Sequence, residues 1–96
     1  MVTFRENETE MICSFAGILN TTNCLTFEKE LLEKTIPPKK VVFDLKQVSY
    51  VSSSFLRICV QLFHAKGKGG ITVINLSPEV KKVFKISGID ELFEAV

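Results

Sequence analysis

Three consecutive serines, Ser52, Ser53 and Ser54, are the residues whose type and spacing best suit chemistry in this chain. They follow a segment typical of a buried strand and precede an apolar stripe typical of a helix. Parallel α/β folds place their ligand sites at such points. One serine there would cap the helix by accepting a hydrogen bond from a backbone N–H. A serine there could also carry a phosphate, because a helix N-terminus favours negative charge.

The other reactive side chains do not form a recognisable catalytic set. The single histidine, His64, lies late in the helix after the serines, and no cysteine or serine stands at a spacing that would pair with it. The glycine-rich segment 67–70 lacks the spacing of a phosphate-binding loop and follows a helix, so we expect a plain turn. We therefore expect no enzymatic activity, no metal site and no cofactor.

The three cysteines, Cys13, Cys24 and Cys59, are widely spaced and have apolar neighbours. No CxxC pair is present, so zinc binding and thioredoxin-type chemistry lack their usual spacing. Free thiols in a small domain favour a reducing compartment. The first ten residues contain no apolar signal segment, and no apolar run is long enough to cross a bilayer. The sequence thus predicts a cytoplasmic protein without a membrane span.

The length and the net charge of the chain limit the number of domains and the kinds of partner that it can bind. The 96 residues correspond to one domain over residues 1–96, and 12 basic and 11 acidic side chains leave a net charge of +1. Because counterion release needs a concentrated basic surface, this balance argues against direct binding of nucleic acid. With 46% hydrophobic and 24% charged residues, the chain is expected to fold around a single core.

Strand-like and helix-like segments alternate along the first half of the chain. Two strands, over Val2–Arg5 and Met11–Leu19, are separated by a polar turn and are expected to form an antiparallel hairpin. A helix follows the capping cluster at 20–22 and ends before Pro37, because the proline ring prevents its continuation. The nearly continuous apolar run Val41–Leu45 is typical of a central strand buried on both faces.

The second half continues the alternation. A helix from the serines closes near Gly67, a strand covers Ile71–Leu76, and a helix begins at Pro78 and stops at Gly88. A last short helical segment is expected around 89–93. Strand–helix–strand connections of this length form parallel pairs with right-handed crossovers. The prediction is an α/β domain with a mixed, mostly parallel sheet of four to five strands, about four helices, and the crossover helices on one face.

The order of these motifs resembles the STAS domain, the fold of bacterial anti-sigma factor antagonists and of the cytoplasmic tails of sulfate transporters. The resemblance covers nearly the whole chain. It is carried by Gly17-Ile18-Leu19-Asn20, which fits the family's Gly-x-Leu-Asp segment, by the strand from Val41 with the serine turn, by Gly69-Gly70, and by Ser77-Pro78-Glu79-Val80.

The serine turn departs from the pattern of that family, which is usually Asp-Ser-Ser-Gly. In the family, a partner serine kinase that is itself an anti-sigma factor phosphorylates the first serine. Matched residue by residue, the Asp falls on Ser52, the phosphoacceptor on Ser53, the next serine on Ser54 and the Gly on Phe55. The family's acidic residue before the first helix falls on Asn20. The motif is thus degenerate, since the phosphoacceptor is retained and the Asp and Gly of the motif are lost. The acid before the first helix is lost as well.

The resemblance implies a partner switch. The unphosphorylated chain would bind the kinase through the serine loop and the following helix, and a phosphate on Ser53 would release it. The residues implied in partner binding are Asn20, Ser52, Ser53, Ser54, Phe55, Leu56 and Arg57. A phosphatase is a further implied partner, and the expected state is a monomer or weak dimer.

Two alternatives stay open at this point. The same fold could serve as a non-phosphorylated interaction subunit of a transport or signalling complex, in which the serines only cap the helix. The large side chain of Phe55 could be buried beneath the loop or offered to a partner.

Overall fold

The computed structural model describes residues 2–35, 39–67 and 70–88 and the backbone of 94–95. The elements in these ranges are β1 (Val2–Glu6), β2 (Glu10–Leu19), α1 (Thr21–Thr35), β3 (Lys40–Val51), α2 (Ser53–Lys66), β4 (Ile71–Ile74), α3 (Pro78–Ser87) and β5 (Glu94–Ala95). The strands form one sheet in the order β1-β2-β3-β4-β5, in which β1 is antiparallel to β2 and the other pairs are parallel. The predicted α/β architecture is therefore confirmed. The expected helical segment at 89–93 lies outside the described residues.

The crossover helices α1 and α2 cover the same face of the sheet, as predicted. The ring of Phe15 on β2 lies 5.6 Å from that of Phe27 on α1 and 5.2 Å from that of Phe55 on α2. Phe43 on β3 lies 5.0 Å from Phe15. All four rings are buried, and we call them the aromatic cluster. Each such pair adds about 0.5–1.5 kcal/mol beyond its buried area, so the cluster fastens both helices to the sheet.

β3 is longer than the apolar run that predicts it. The strand continues past Leu45 to Val51, and Val48 and Val51 are buried. Its pairing with β2 shifts register twice, and Gly17, beside one of these shifts, has a φ of +87°. Such irregularities break the alternation of buried and exposed residues, which explains why the sequence does not reveal the extension.

The ends of α2 and α3 follow the signals in the sequence. The Ser52 hydroxyl accepts a hydrogen bond from the Phe55 N–H at 3.4 Å and so caps α2. The Ser77 hydroxyl does the same for α3 by accepting from the Val80 N–H at 3.2 Å. Gly88 ends α3 in the left-handed conformation, with a φ of +78°. Local side-chain chemistry therefore sets where these helices start and stop.

The three cysteines are buried free thiols on three different elements, β2, α1 and α2. Burial raises the pKa of Cys13 to about 12. Burial also raises the pKa of Cys24 and of Cys59. The thiols are therefore protonated and unreactive at neutral pH.

Within the described ranges, no helix combines the length and the apolar character needed to cross a bilayer.

Candidate functional site

The serine loop lies where β2 and β3 end side by side. Leu19 and Val51 are partners in the parallel ladder, and the residues after them, Asn20 and Ser52, immediately precede α1 and α2. The backbone N–H of Ser52 donates to the carbonyl of Leu19 at 3.0 Å. The N-termini of both helices therefore meet at one edge of the sheet. We call the group formed by Asn20, Thr21 and residues 52–57 the serine site.

The three serine hydroxyls have different environments. Ser52 is 8% exposed and caps α2. Ser54 is 7% exposed, and its hydroxyl lies 2.9 Å from the hydroxyl of Thr21, in a hydrogen bond for which either oxygen can donate. Ser53 is exposed, and within the described part of the chain its hydroxyl has no hydrogen-bond partner. Ser53 is therefore the serine of this loop whose hydroxyl is open to a modifying enzyme.

Asn20 caps α1 where the family has an acid. Its side-chain carbonyl accepts from the Asn23 N–H at 2.9 Å, and its backbone carbonyl accepts from the Cys24 N–H at 2.9 Å. The side-chain amide of Asn23 donates in turn to the carbonyl of Ile18 at 2.6 Å. The side-chain amide of Asn20 thus satisfies one of the free N–H groups at the start of α1 without adding charge to the site.

The residues that follow the serines are divided between the core and the surface. Phe55 is fully buried in the aromatic cluster, with its ring 5.8 Å from that of Phe43. Leu56 is also buried, whereas Arg57 is exposed. Of the two alternatives for Phe55, the structure shows the buried one, so its side chain is not part of the surface. The predicted partner-binding residues that reach the surface are Asn20, Ser53 and Arg57.

The serine site contains no carboxylate. The first turns of α1 and α2 have no acidic residue, and the capping residues Asn20 and Ser52 are neutral. Arg57 is the one charged member of the site, and among the described residues it forms no ion pair. The two helix N-termini add further positive potential at the same edge. The local electrostatics therefore favour an anion.

One member of the serine site, Thr21, and two of its neighbours, Ile18 and Tyr50, are not predicted from the sequence to be functional. The sequence marks Thr21 only as part of a capping cluster, because its partner Ser54 is 33 residues away. Ile18 and Tyr50 are paired in register at the ends of β2 and β3, and each is 51% exposed. Their exposure could have been predicted, because each directly precedes a buried residue at the end of its strand. Successive side chains of a strand lie on opposite faces of the sheet.

The other residues considered for chemistry in the sequence, His64 and the glycine-rich segment 67–70, do not belong to the serine site. His64 is exposed in the last turn of α2, and the edge of its ring meets Phe63 at 5.8 Å between centroids. The N–H of Gly70 donates to the carbonyl of Gly67 at 3.1 Å. In the ranges that the structure describes, no group of three or more His, Cys, Asp or Glu side chains is placed to hold a metal ion.

Comparison with known proteins decides the family. The model of the STAS domain matches residues 1–96. The chain belongs to the STAS domain family. It is 32% identical over 88 residues to BtrV of Bordetella bronchiseptica, a candidate anti-sigma factor antagonist by its name, and this match covers 86% of the chain and 74% of BtrV.

Solved structures share the fold. An anti-sigma factor antagonist from Mycobacterium paratuberculosis superposes with a TM-score of 0.88 at 18% identity, over 99% of this chain and 83% of that one. SpoIIAA in its unphosphorylated form gives a TM-score of 0.76 at 16% identity, over 100% and 88% of the two chains. The phosphorylated form of SpoIIAA, from Bacillus, gives 0.71 at 12% identity, over 100% and 91%.

Proposed function

We propose that this STAS domain is an anti-sigma factor antagonist that works as a phosphorylation switch. In its unphosphorylated form it binds a partner serine kinase, itself an anti-sigma factor, through the serine site and α2. A phosphate on Ser53 releases the partner, and a phosphatase restores the binding form. The domain acts in the cytoplasm as a monomer or weak dimer. It works by protein binding alone, with no enzymatic step of its own and no direct contact with nucleic acid.

The observation that carries this proposal is the difference between Ser53 and its two neighbours. A kinase needs an accessible hydroxyl that can attack the transferred phosphoryl group in line. Phosphorylation of Ser52 would remove the hydrogen bond that caps α2, and phosphorylation of Ser54 would break its hydrogen bond to Thr21. Ser53 is exposed and makes neither contact. A phosphate can therefore be added there without opening the fold.

The relatives support the same assignment. BtrV, which is similar in sequence, is named as a candidate anti-sigma factor antagonist. SpoIIAA, which shares the fold, has been solved in a phosphorylated and an unphosphorylated form. A fold that accommodates both forms in a relative is consistent with a switch in this chain.

The loss of the motif's Asp and of the acid before the first helix is compatible with phosphorylation. Ser52 and Asn20 hold the two helix starts by neutral hydrogen bonds. No carboxylate in the serine site repels an incoming phosphate, which carries a charge of about −1.5 to −2 at neutral pH. Because Phe55 anchors the first turn of α2 in the core, the position of Ser53 does not depend on the glycine of the usual motif.

A binding experiment with the purified partner kinase tests the proposal. The chain with phosphoserine at position 53 and the variant Ser53→Asp should bind at least about tenfold more weakly than wild type, because a buried unpaired charge at an interface costs more than 1.4 kcal/mol. Ser53→Ala should bind like wild type and accept no phosphate. Thr3→Asp, which places the same charge at an exposed hydroxyl residue of the edge strand β1, is the matched control.

Mass spectrometry of the chain after incubation with the kinase and ATP locates the phosphate. Phosphate on another residue, or undiminished binding by both the phosphoserine form and Ser53→Asp, would contradict the switch. The second result would favour the alternative, an interaction subunit in which Ser52 and Ser54 serve only as the helix cap and the link to α1.

A further inference from the structure

We infer that Arg57 binds the phosphate of phosphorylated Ser53 within the same helix and so acts as its built-in counter-ion. This inference rests on the proposed phosphorylation of Ser53. α2 begins at Ser53, so Arg57 lies one turn further along, and both residues are exposed. Side chains four residues apart on a helix are neighbours on one face. The two groups are therefore within reach of each other at the surface.

The order of the two residues along the helix is the favourable one. An acidic group four residues before a basic group stabilises a helix more than the reverse order. The phosphate would also lie in the first turn of α2, where the helix dipole favours negative charge. Phosphoserine 53 would be the acidic group and Arg57 the basic one. The planar guanidinium can also donate two parallel hydrogen bonds to phosphate oxygens, which gives a stronger contact than a point charge.

No acidic side chain of the described residues is bonded to Arg57. It forms no ion pair, and the first turns of both helices lack acidic side chains. Burial is the main cause of the raised pKa of the Cys24 thiol, and smaller opposite effects on that pKa come from the charges of Glu28, on α1, and Arg57. Both charges therefore lie on this side of the molecule, but no salt bridge joins them. The guanidinium is thus available when a phosphate arrives on Ser53.

The pairing gives phosphorylation two effects on the docking surface. It adds a dianion at Ser53, and it removes from that surface the one cation of the serine site. A partner that contacts Arg57 in the unphosphorylated form therefore loses this contact at the moment when it meets the phosphate.

The test uses the full chain with phosphoserine inserted at position 53 during translation, so that neither the kinase nor the partner is needed. Phosphorus NMR gives the pKa of the second ionisation of the phosphate. A nearby cation favours the dianion, so we expect this pKa to be about 0.5 higher in Arg57→Gln than in wild type. Arg57→Lys should retain part of the effect, since it keeps the charge and loses the planar fork.

Lys40→Gln is the matched control. It also removes one exposed cation, but Lys40 begins β3 whereas the serine site follows the end of that strand. Because the length of β3 separates Lys40 from the phosphate on Ser53, the two charges interact little at ordinary ionic strength. The phosphate of the Lys40→Gln variant should therefore have the same pKa as that of wild type. In urea all variants should give one common value.

A second readout is the nitrogen NMR signal of the Arg57 side chain, which should shift on phosphorylation in the wild-type chain. Equal phosphate pKa values in wild type, Arg57→Gln and Arg57→Lys, with an unmoved Arg57 signal, would overturn the inference. That result would not contradict the partner switch, because release of the partner does not require Arg57. Conversely, if phosphorylation does not release the partner, a contact between Arg57 and the phosphate can still be observed. The two experiments therefore distinguish failure of one proposal from failure of the other.

Discussion

At the scale of the residue, the serine loop shows how helix geometry separates three identical side chains. Successive residues of an α-helix point about 100° apart, so a shift of one position in the start of α2 would exchange the roles of Ser52, Ser53 and Ser54. The sequence predicts that one serine caps the helix. It does not say which one, because serine is a favourable capping residue at any of the three positions. The contact between Ser54 and Thr21 fixes the choice, and it belongs to the tertiary structure.

The buried thiols lead to a prediction at the same scale. The folded state holds the pKa of Cys13 at about 12, whereas a thiol in the unfolded chain has its ordinary value of 9.0. Above pH 9 the unfolded chain therefore binds fewer protons than the folded one, and the free energy of unfolding should fall as the pH rises. For one such thiol the slope approaches about 1.4 kcal/mol per pH unit.

Urea unfolding of wild type and Cys13→Ala in reductant, at several pH values from 7.5 to 10.5, measures this slope. The cavity left by the shorter side chain lowers stability at every pH, so only the slopes are compared. Cys13→Ala should lose less stability between pH 9 and 10.5 than wild type. Parallel curves for the two proteins would show that Cys13 ionises equally in both states.

At the scale of the element, two helices that are distant in sequence are joined at their first turns. α1 and α2 each follow a strand end, and the hydroxyls of Thr21 and Ser54 link them. The cap of α3 at Ser77 and its stop at Gly88 are local, and the sequence predicts both, as it predicts that one of the three serines caps α2. The link between the helices and the extension of β3 to Val51 depend on register between strands, so the sequence does not predict them.

Removal of one of the two hydroxyls that link α1 and α2, those of Thr21 and Ser54, should lower the stability of the protein. Thr21→Val leaves the Ser54 hydroxyl nearly buried without its partner, and we expect a loss of about 1–3 kcal/mol in the free energy of unfolding. Ser54→Ala removes the partner that is itself buried. The double variant Thr21→Val/Ser54→Ala removes both polar groups, so its loss should be smaller than the sum of the two single losses.

Chemical denaturation of the four proteins gives the coupling between the two positions. Losses that simply add, with no coupling beyond about 0.3 kcal/mol, would mean that the hydroxyls do not stabilise each other.

At the scale of the whole molecule, the aromatic cluster connects the serine site to the core. Phe55 follows the serines directly, and its ring packs against Phe15 of β2 and Phe43 of β3. The family usually has a glycine at this position, and from the sequence alone the phenylalanine could lie inside or outside. Its burial depends on the space between α2 and the sheet, which no local pattern reports.

Replacing Phe55 by the glycine that is usual in the family should destabilise this chain. Phe55→Gly removes a fully buried ring and places glycine in the first turn of α2, so we expect a loss of about 3–5 kcal/mol in the free energy of unfolding. Phe55→Leu, which refills part of the space, should lose clearly less. Urea unfolding monitored by circular dichroism measures both. Wild-type stability in Phe55→Gly would show that the ring is dispensable, and Phe55→Leu still reports on the packing if the glycine variant fails to fold.

The link between Thr21 and Ser54 spans 33 residues of chain, and so does the hydrogen bond from the Ser52 N–H to the Leu19 carbonyl. Contacts of such long sequence separation form only when the chain between them has closed into a loop, which costs conformational entropy. The geometry around Ser53 therefore does not exist in a chain still leaving the ribosome or in one opened by heat. An enzyme that recognises the shape of this site would distinguish finished molecules from unfinished ones, and each phosphate that it adds would also be a record that the chain had folded.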